Sequence, residues 1–453
     1  MTNRRDFLKA SGLASAGLAA LNLLEAADPA QKAITLRIAP VSLDIGPAKT
    51  IKTIGYNGSV PGPILRFKEG KPVTVDVFND TDVAETVHWH GQQIPSAVDG
   101  SVEELTPAVP AHGHRRYRFT PEPAGTRWYH THSMAHADLS RAGFSGQFGF
   151  AIVEPAHEPG NYDQEICLAA HHWEPSLANM GPPDNGWEIA YRSATLNGKI
   201  LGAGEPIRVR EGQRVLFRLL NASATDEIRL ALPGHRFNVI ALDGNPVPHP
   251  QTVDVLYLDI AERIDAIVEM NNPGVWVLAS TKDDERMMGM GVVVEYANRN
   301  GQPQWQQPAN VGRGPWDYSQ FGNATPAPEP DHTFEMKFQK IPGNRKDFNH
   351  WTINGKSWPD LEKLRLEKGR RYRLSFNNDS GDIHPLHLHR HTFEITNAGG
   401  KSMSGVMKDV ISVNRRTTAA IDFVANNPGL TLFHCHMQLH MDFGFMQLLE
   451  YAG

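Results

Sequence analysis

One pattern occurs three times in this 453-residue chain, and it limits what the chain can fold into. Each copy has an Asn-Gly turn, a charged residue before a Gly, a short run of β-branched and large apolar residues, and then an Asn. The copies are Asn57-Gly58 with Gly70 and Asn79, Asn197-Gly198 with Gly212 and Asn221, and Asn354-Gly355 with Gly369 and Asn377. Their Gly-to-Asn intervals are nine, nine and eight residues. The runs between them, Val73–Val77, Val215–Leu220 and Tyr372–Phe376, read as strands bounded by turns. A spacing of 140 to 160 residues marks a repeated domain, since solenoid units are far shorter. Forty Gly and 32 Pro break the remainder into short strands, and no long helical pattern survives outside the amino terminus. Short helical turns are expected near Leu139 and over Pro359 to Leu364. The fold class is therefore all-β, with three consecutive Greek-key sandwiches at 34–155, 163–298 and 331–453. A polar linker at 299–330 joins the last two.

Composition removes several functions. Forty percent hydrophobic content supports three cores and excludes a disordered polymer. The formal charge is −6 with no basic stripe, so nucleic acid is not a partner. Two cysteines cannot staple a scaffold, whereas 21 histidines are an ample supply of metal-capable side chains. At the amino terminus, Arg4-Arg5 precedes a modestly apolar Ala/Leu/Gly stretch, and Ala26-Ala27 offers a cleavage region. Residues 1–27 read as a twin-arginine export signal, which carries folded proteins to the periplasm or the exterior. The rest has no apolar run of 18 residues, so no membrane insertion of the mature chain is expected, and a monomer is.

The chemistry lies in four His-x-His pairs: His88/His90, His130/His132, His387/His389 and His434/His436. Chance gives about one such pair in this composition, and His112/His114 answers to it. In a strand, period-two geometry puts both imidazoles of a pair on one face. Eight converging imidazoles call for metal, and neutral imidazole suits copper, zinc and iron. Cys435, between His434 and His436, faces the other way and serves a separate centre, together with His440 and His384. Two His and one thiolate make a trigonal copper site of the electron-transfer kind. Cys167, isolated in a strand pattern, reads as a small buried hydrophobe. His171-His172 are adjacent and face opposite ways, so they do not share a metal.

On His88-Trp89-His90-Gly91, Trp128-Tyr129-His130-Thr131-His132-Ser133, His384-Pro385-Leu386-His387-Leu388-His389 and His434-Cys435-His436 with His440, the chain resembles the multicopper oxidases, in particular the bacterial three-domain laccase-like group. The resemblance runs from about residue 35 to the end. It implies three cupredoxin domains and four coppers per chain: one type 1, one type 2 and two type 3. By resemblance, His88 and His387 hold type 2 copper. His90, His130 and His436 hold one type 3 copper, and His132, His389 and His434 the other. Type 1 copper falls to His384, Cys435 and His440, and the second domain contributes no ligand, with a structural duty of spacing the outer two and walling the substrate groove. Asp99 resembles the family's carboxylate near type 2 copper, which relays protons. Some bacterial relatives carry a Glu directly after the last type 1 His, where this chain has Met441 and then Asp442, so a second relay at Asp442 is doubtful. The axial position falls on Phe445, which cannot ligate, with Met446 as its rival.

The implied reaction couples one-electron oxidation of a small-molecule reducing substrate, a phenol or aromatic amine, to reduction of dioxygen to water. A cuprous or other metal-ion oxidase is the alternative. It would dock its ion on thioethers and carboxylates such as Met403, Met407, Asp409, Met441 and Asp442. Met287-Met288-Gly289-Met290, the densest methionine group, reads as a strand edge. A noncatalytic periplasmic relative of the same fold would lack cluster ligands, and all ten expected histidines and the Cys are present.

Overall fold

A computed structural model describes residues 33–155, 160–179, 186–312, 316–343 and 348–451. The expected export signal lies outside the described residues. The chain is almost entirely β, in three cupredoxin-type sandwiches of two sheets each.

The sequence repeat has a structural cause. In each domain the opening strand pairs in parallel with the strand of the repeat: Ile34–Gly46 with Val73–Asn79, Gln164–Trp173 with Arg214–Asn221, and His332–Ile341 with Arg371–Asn378. Asn57, Asn197 and Asn354 sit at φ 51°, 50° and 53°, and the glycines after them at 75°, 73° and 80°. That left-handed pair is the tight turn for which Asn-Gly is suited. Each of these Asn side chains clamps the opening strand: Oδ1 accepts from Arg37, Ala169 or Lys337 N, and Nδ2 donates to Thr35, Cys167 or Glu335 O.

The closing Asn of the third copy is Asn378, not Asn377, and the interval becomes nine in all three. Asn79, Asn221 and Asn378 each accept from the backbone N–H two residues on and donate to a carbonyl of the following loop, at Val83, Asp226 and Asp382. Asn377 is exposed, and its side chain points out of the sheet on the opposite face.

Among the described residues helix is confined to short turns, and two expectations about it need correction. Leu139 lies in a turn, residues 359–363 form no helix and Leu364 opens the strand Leu364–Leu366, while the 3₁₀ turn falls at Ala142–Phe144. Met287 and Met288 end a helix, Asp283–Met288, and the strand starts only at Gly291. Three acids in the first turn favour that helix end electrostatically, and Gly289 at φ 113° closes it with bonds to Glu285 and Arg286 carbonyls. Met287 is 82% exposed.

Candidate metal centre

In both outer domains two His-x-His segments lie on neighbouring antiparallel strands. His88 stands opposite His130 in the first domain, and His387 opposite His434 in the third. The sandwiches meet so that these four strands face one another. Parallel ring stacks cross the interface: His88 on His389 at 4.0 Å and His90 on His387 at 3.7 Å. His436 packs within 5.2 Å of both His90 and His130.

Hydrogen bonds fix which ring nitrogens are bare. Nδ1 of His88, His130, His387 and His434 each donates to a backbone carbonyl, of Asp99, Thr131, Asp409 and Cys435. His389 Nδ1 donates to Asp99 Oδ2. A carbonyl only accepts, so Nε2 of these rings is a lone pair. Those lone pairs point at one another: His88 to His387 at 3.4 Å, His434 to His389 at 3.1 Å and to His132 at 3.4 Å. His90 is reversed, with Nε2 donating to Asp409 Oδ1 and Nδ1 lying 3.3 Å from His130 Nε2. Buried lone pairs facing at such distances repel unless cations lie between them, and His436 Nε2 is buried with no hydrogen-bond partner among the described residues. Burial holds His90, His130, His387, His389, His434 and His436 well below the ordinary imidazole range and His132 at about 3, so these rings are neutral donors.

At the end of the strand Leu430–Cys435, on the face opposite His434, Cys435 Sγ lies 3.3 Å from His440 Nδ1 and 3.6 Å from His384 Nδ1, and the two nitrogens are 3.1 Å apart. All three side chains are buried, and Ser380 Oγ holds His384 Nε2 at 2.8 Å. Trp351 stacks on His440 at 4.0 Å and donates Nε1–H to Asp382. The Phe445 ring meets His384 edge-on at 4.7 Å, within the apolar cluster that contains Cys435. Met446 packs elsewhere, with Leu432, Met441 and Leu448. This nearly equilateral S/N/N triangle, with the Phe445 ring packed against one of its histidines, could hold a metal ion through one thiolate and two imidazoles.

Two carboxylates organise the cluster from opposite sides. Asp99, in the helical turn Ser96–Asp99, reaches His88 Nδ1 at 3.0 Å and His389 Nδ1 at 2.8 Å. Against its burial, His88 keeps Asp99 below the usual carboxylate range, while burial and then Asp99 push Glu104 well above it. Asp409 accepts from His90, and the Arg263 guanidinium clasps it with two bonds of 2.7 and 2.6 Å.

Family models described as multicopper oxidase match residues 39–158, 171–298 and 326–452. The chain is 30% identical over 98% of its length to multicopper oxidase MmcO of Mycobacterium tuberculosis, covering 92% of that protein. This chain is a multicopper oxidase. Bilirubin oxidase of Albifimbria verrucaria is 26% identical over 89% of the chain, with 73% of that protein covered. The solved multicopper oxidase of Pseudomonas thermotolerans superposes with a TM-score of 0.72 at 27% identity, covering 93% of this chain and all of that one. The oxidase is thus a copper-dependent oxidoreductase that uses a small-molecule substrate and dioxygen, and none of its described helices is long and apolar enough to cross a membrane.

Several expectations about the oxidase change. Asp409 and Met403 do not form an ion-docking surface: both are fully buried, and Met441 is too. Met407 alone of that group is open, at 36%. Asp442 is also buried, and its carboxylate accepts from Ala135 N, His136 N and Gln438 Nε2. The middle domain is more than a spacer: Arg263 reaches Asp409, and Ala222 to Ala224 wall a cavity beside His130, His132, His434 and His436. Sequence reading missed Glu85, Glu104, Arg127 and Arg263, all buried. Glu85, three residues before His88, carried the one local signal, an acid entering a buried strand.

Proposed function

We propose that the oxidase holds four coppers in the sets the resemblance implied. His384, Cys435 and His440 hold type 1 copper, and His88 and His387 type 2. The type 3 pair falls to His90, His130 and His436 and to His132, His389 and His434. The observation that carries this reading is the back-to-back placement of a Cys/His/His triangle and an eight-imidazole cluster on one strand, His434 to His436. Copper would supply one-electron redox at the triangle and gather electrons for dioxygen at the cluster. The chain supplies the wire: Cys435 is bonded directly to His434 and His436, and His434 Nδ1 donates to Cys435 O at 2.9 Å, a shortcut beside the covalent path. Asp99 orients two imidazoles and can hold a proton beside them. Ten of the eleven proposed ligands are buried and His436 is half-buried, so bulk water is largely kept from the cluster.

The reducing substrate is proposed to be a phenol or aromatic amine, oxidised one electron at a time near His440. The burial of Met403, Asp409, Met441 and Asp442 supports this over the cuprous-oxidase alternative. The export motif supports work in the periplasm or outside the cell, and the oxidase is proposed to act as a monomer. Dioxygen uptake by one copper-loaded preparation, measured with a methoxyphenol, an aromatic amine and Cu(I), tests the reading. Broad organic turnover that survives Met407→Leu is expected; strong Cu(I) turnover with negligible phenol oxidation reverses the choice of substrate.

A further inference from the structure

If dioxygen is reduced to water at the histidine cluster, as proposed above, four protons must arrive with four electrons. Asp99 can serve one side. On the other side lies a cavity walled by Thr131, His132, Gln147, His436, Gln438 and Met441 among others, and no acid lines it. It offers about 30 Å³ of water-accessible space, room for roughly two waters.

Two carboxylates stand one residue behind that wall. Asp442 lies behind Gln438, and fixed N–H donors occupy it: Ala135 N at 3.0 Å, His136 N at 2.7 Å and Gln438 Nε2 at 2.8 Å. An amide between it and the cavity does not pass protons as a hydroxyl does. Glu85 lies behind Thr131 and Gln147 and is fully buried. Its Oε2 accepts from Thr131 Oγ at 3.3 Å, Ser133 Oγ at 3.2 Å and Gln147 Nε2 at 3.4 Å. Its Oε1 has no hydrogen-bond partner among the described residues. The charged and titratable groups facing it are Arg141, with Nη2 at 3.8 Å, and the buried Tyr56 phenol. Hydroxyls donate and accept, so Thr131 can take a proton from Glu85 and release its own into the cavity.

We propose that Glu85 delivers protons to the cavity side of the cluster through the Thr131 hydroxyl. Each delivery leaves a Glu85 carboxylate, and a proton returns from solvent by way of the half-buried Ser133. Burial raises Glu85 above the usual carboxylate range, which favours a held proton.

The test uses the copper-loaded full chain. In Glu85→Gln, copper content and the blue band are expected to stay at the wild-type level. Reoxidation of the reduced protein by dioxygen should slow about a hundredfold at neutral pH. The deficit should shrink in acid, where hydronium replaces the missing donor; a purely structural loss would not follow pH. Thr131→Val keeps Glu85 and should give the same pH-dependent slowing, whatever the folding yield of Glu85→Gln. Apart from turnover, infrared spectra at mildly acidic pH should lose one protonated-carboxyl component in Glu85→Gln and keep it in Asp442→Asn. Full copper with wild-type reoxidation across pH in both Glu85→Gln and Thr131→Val overturns the role of Glu85 and leaves oxygen reduction standing. Wild-type protein that loads copper and consumes no dioxygen overturns the functional reading instead.

Discussion

Arg263, in the middle domain, and Asp409, in the third, form a bidentate ion pair with no solvent exposure, and Asp409 also touches two histidines of the cluster. Its carboxylate accepts from His90 Nε2, and its backbone carbonyl accepts from His387 Nδ1. Arg127, from the first domain, adds a contact at 3.3 Å. One carboxylate thus joins all three domains at the point where the outer two present their histidines. A buried ion pair earns little net stability over apolar packing, so its value here is the fixed orientation it gives His90 and His387.

Removing Arg263 leaves Asp409 buried and short of a partner. Arg263→Gln is expected to lose about 3 kcal/mol of unfolding free energy and to perturb the type 2 and type 3 spectra without moving the blue band. Arg263→Lys, which cannot form the two-pronged bond, should recover only part. The double variant with Asp409→Asn should cost less than the two single losses added together. Strict additivity in a double-mutant cycle by denaturant titration would show that the two residues are not coupled.

Cys435 and Cys167 differ in what surrounds them. Cys435 has two imidazole nitrogens within 3.6 Å, and Cys167 sits in a strand where burial pushes its thiol up to about 12. Cys435→Ser should abolish the blue absorption and nearly all turnover while the cluster histidines keep their copper. Cys167→Ser should leave both unchanged, as metal analysis and absorption spectroscopy on paired preparations would show.

Local chemistry made much of this legible. Asn-Gly turns and strand runs revealed three like domains because each Asn does the same backbone work, and the His-x-His spacing revealed the cluster because period-two side chains share a face. The third repeat was misread by one residue because Asn377 and Asn378 are adjacent and only the partners of their amides tell them apart. Asp409 looked like a surface acid because its charge is compensated by Arg263, 146 residues away in sequence. Glu104 was invisible for the same reason, and Glu85 showed only as an acid shortly before His88, because what makes a buried carboxylate functional is supplied by other strands. The Met287 helix was missed because Met287 and Met288 lead into the apolar strand that starts at Gly291, and a short apolar run does not by itself distinguish helix from strand.

Asp99 bonds to one histidine assigned to type 2 copper and one assigned to type 3, so losing its charge should affect the oxygen half-reaction selectively. Asp99→Asn keeps the shape and removes the exchangeable acid. Reoxidation of the reduced protein should slow about a hundredfold, while anaerobic reduction of the blue centre by substrate stays near the wild-type rate. Equal slowing of both halves in rapid-mixing experiments would point to a general structural defect and remove Asp99 from the proton path.

Asp259 gives the fold a pH dependence of its own, away from the metal ligands. Burial, and then the nearby Glu262 charge, push it up to about 7, and the Ser412 hydroxyl and Ile260 N–H bond to its carboxyl. An acid whose folded value lies above its unfolded one binds its proton more tightly in the native state. Below about pH 4 both states are protonated and Asp259 has no differential effect. Between there and about 7 the unfolded chain ionises first, so stability falls as pH rises, by up to roughly 4 kcal/mol in total. Asp259→Asn cannot ionise and keeps acceptors and donors for both partners. Its unfolding free energy should therefore gain on that of the wild type from about pH 4 to about pH 7 and level off above, while other titrating groups cancel in the comparison. Parallel curves for the two proteins, from denaturant titrations at each pH with copper bound, would mean that Asp259 titrates in the fold as it does in the unfolded chain and would remove this pH dependence.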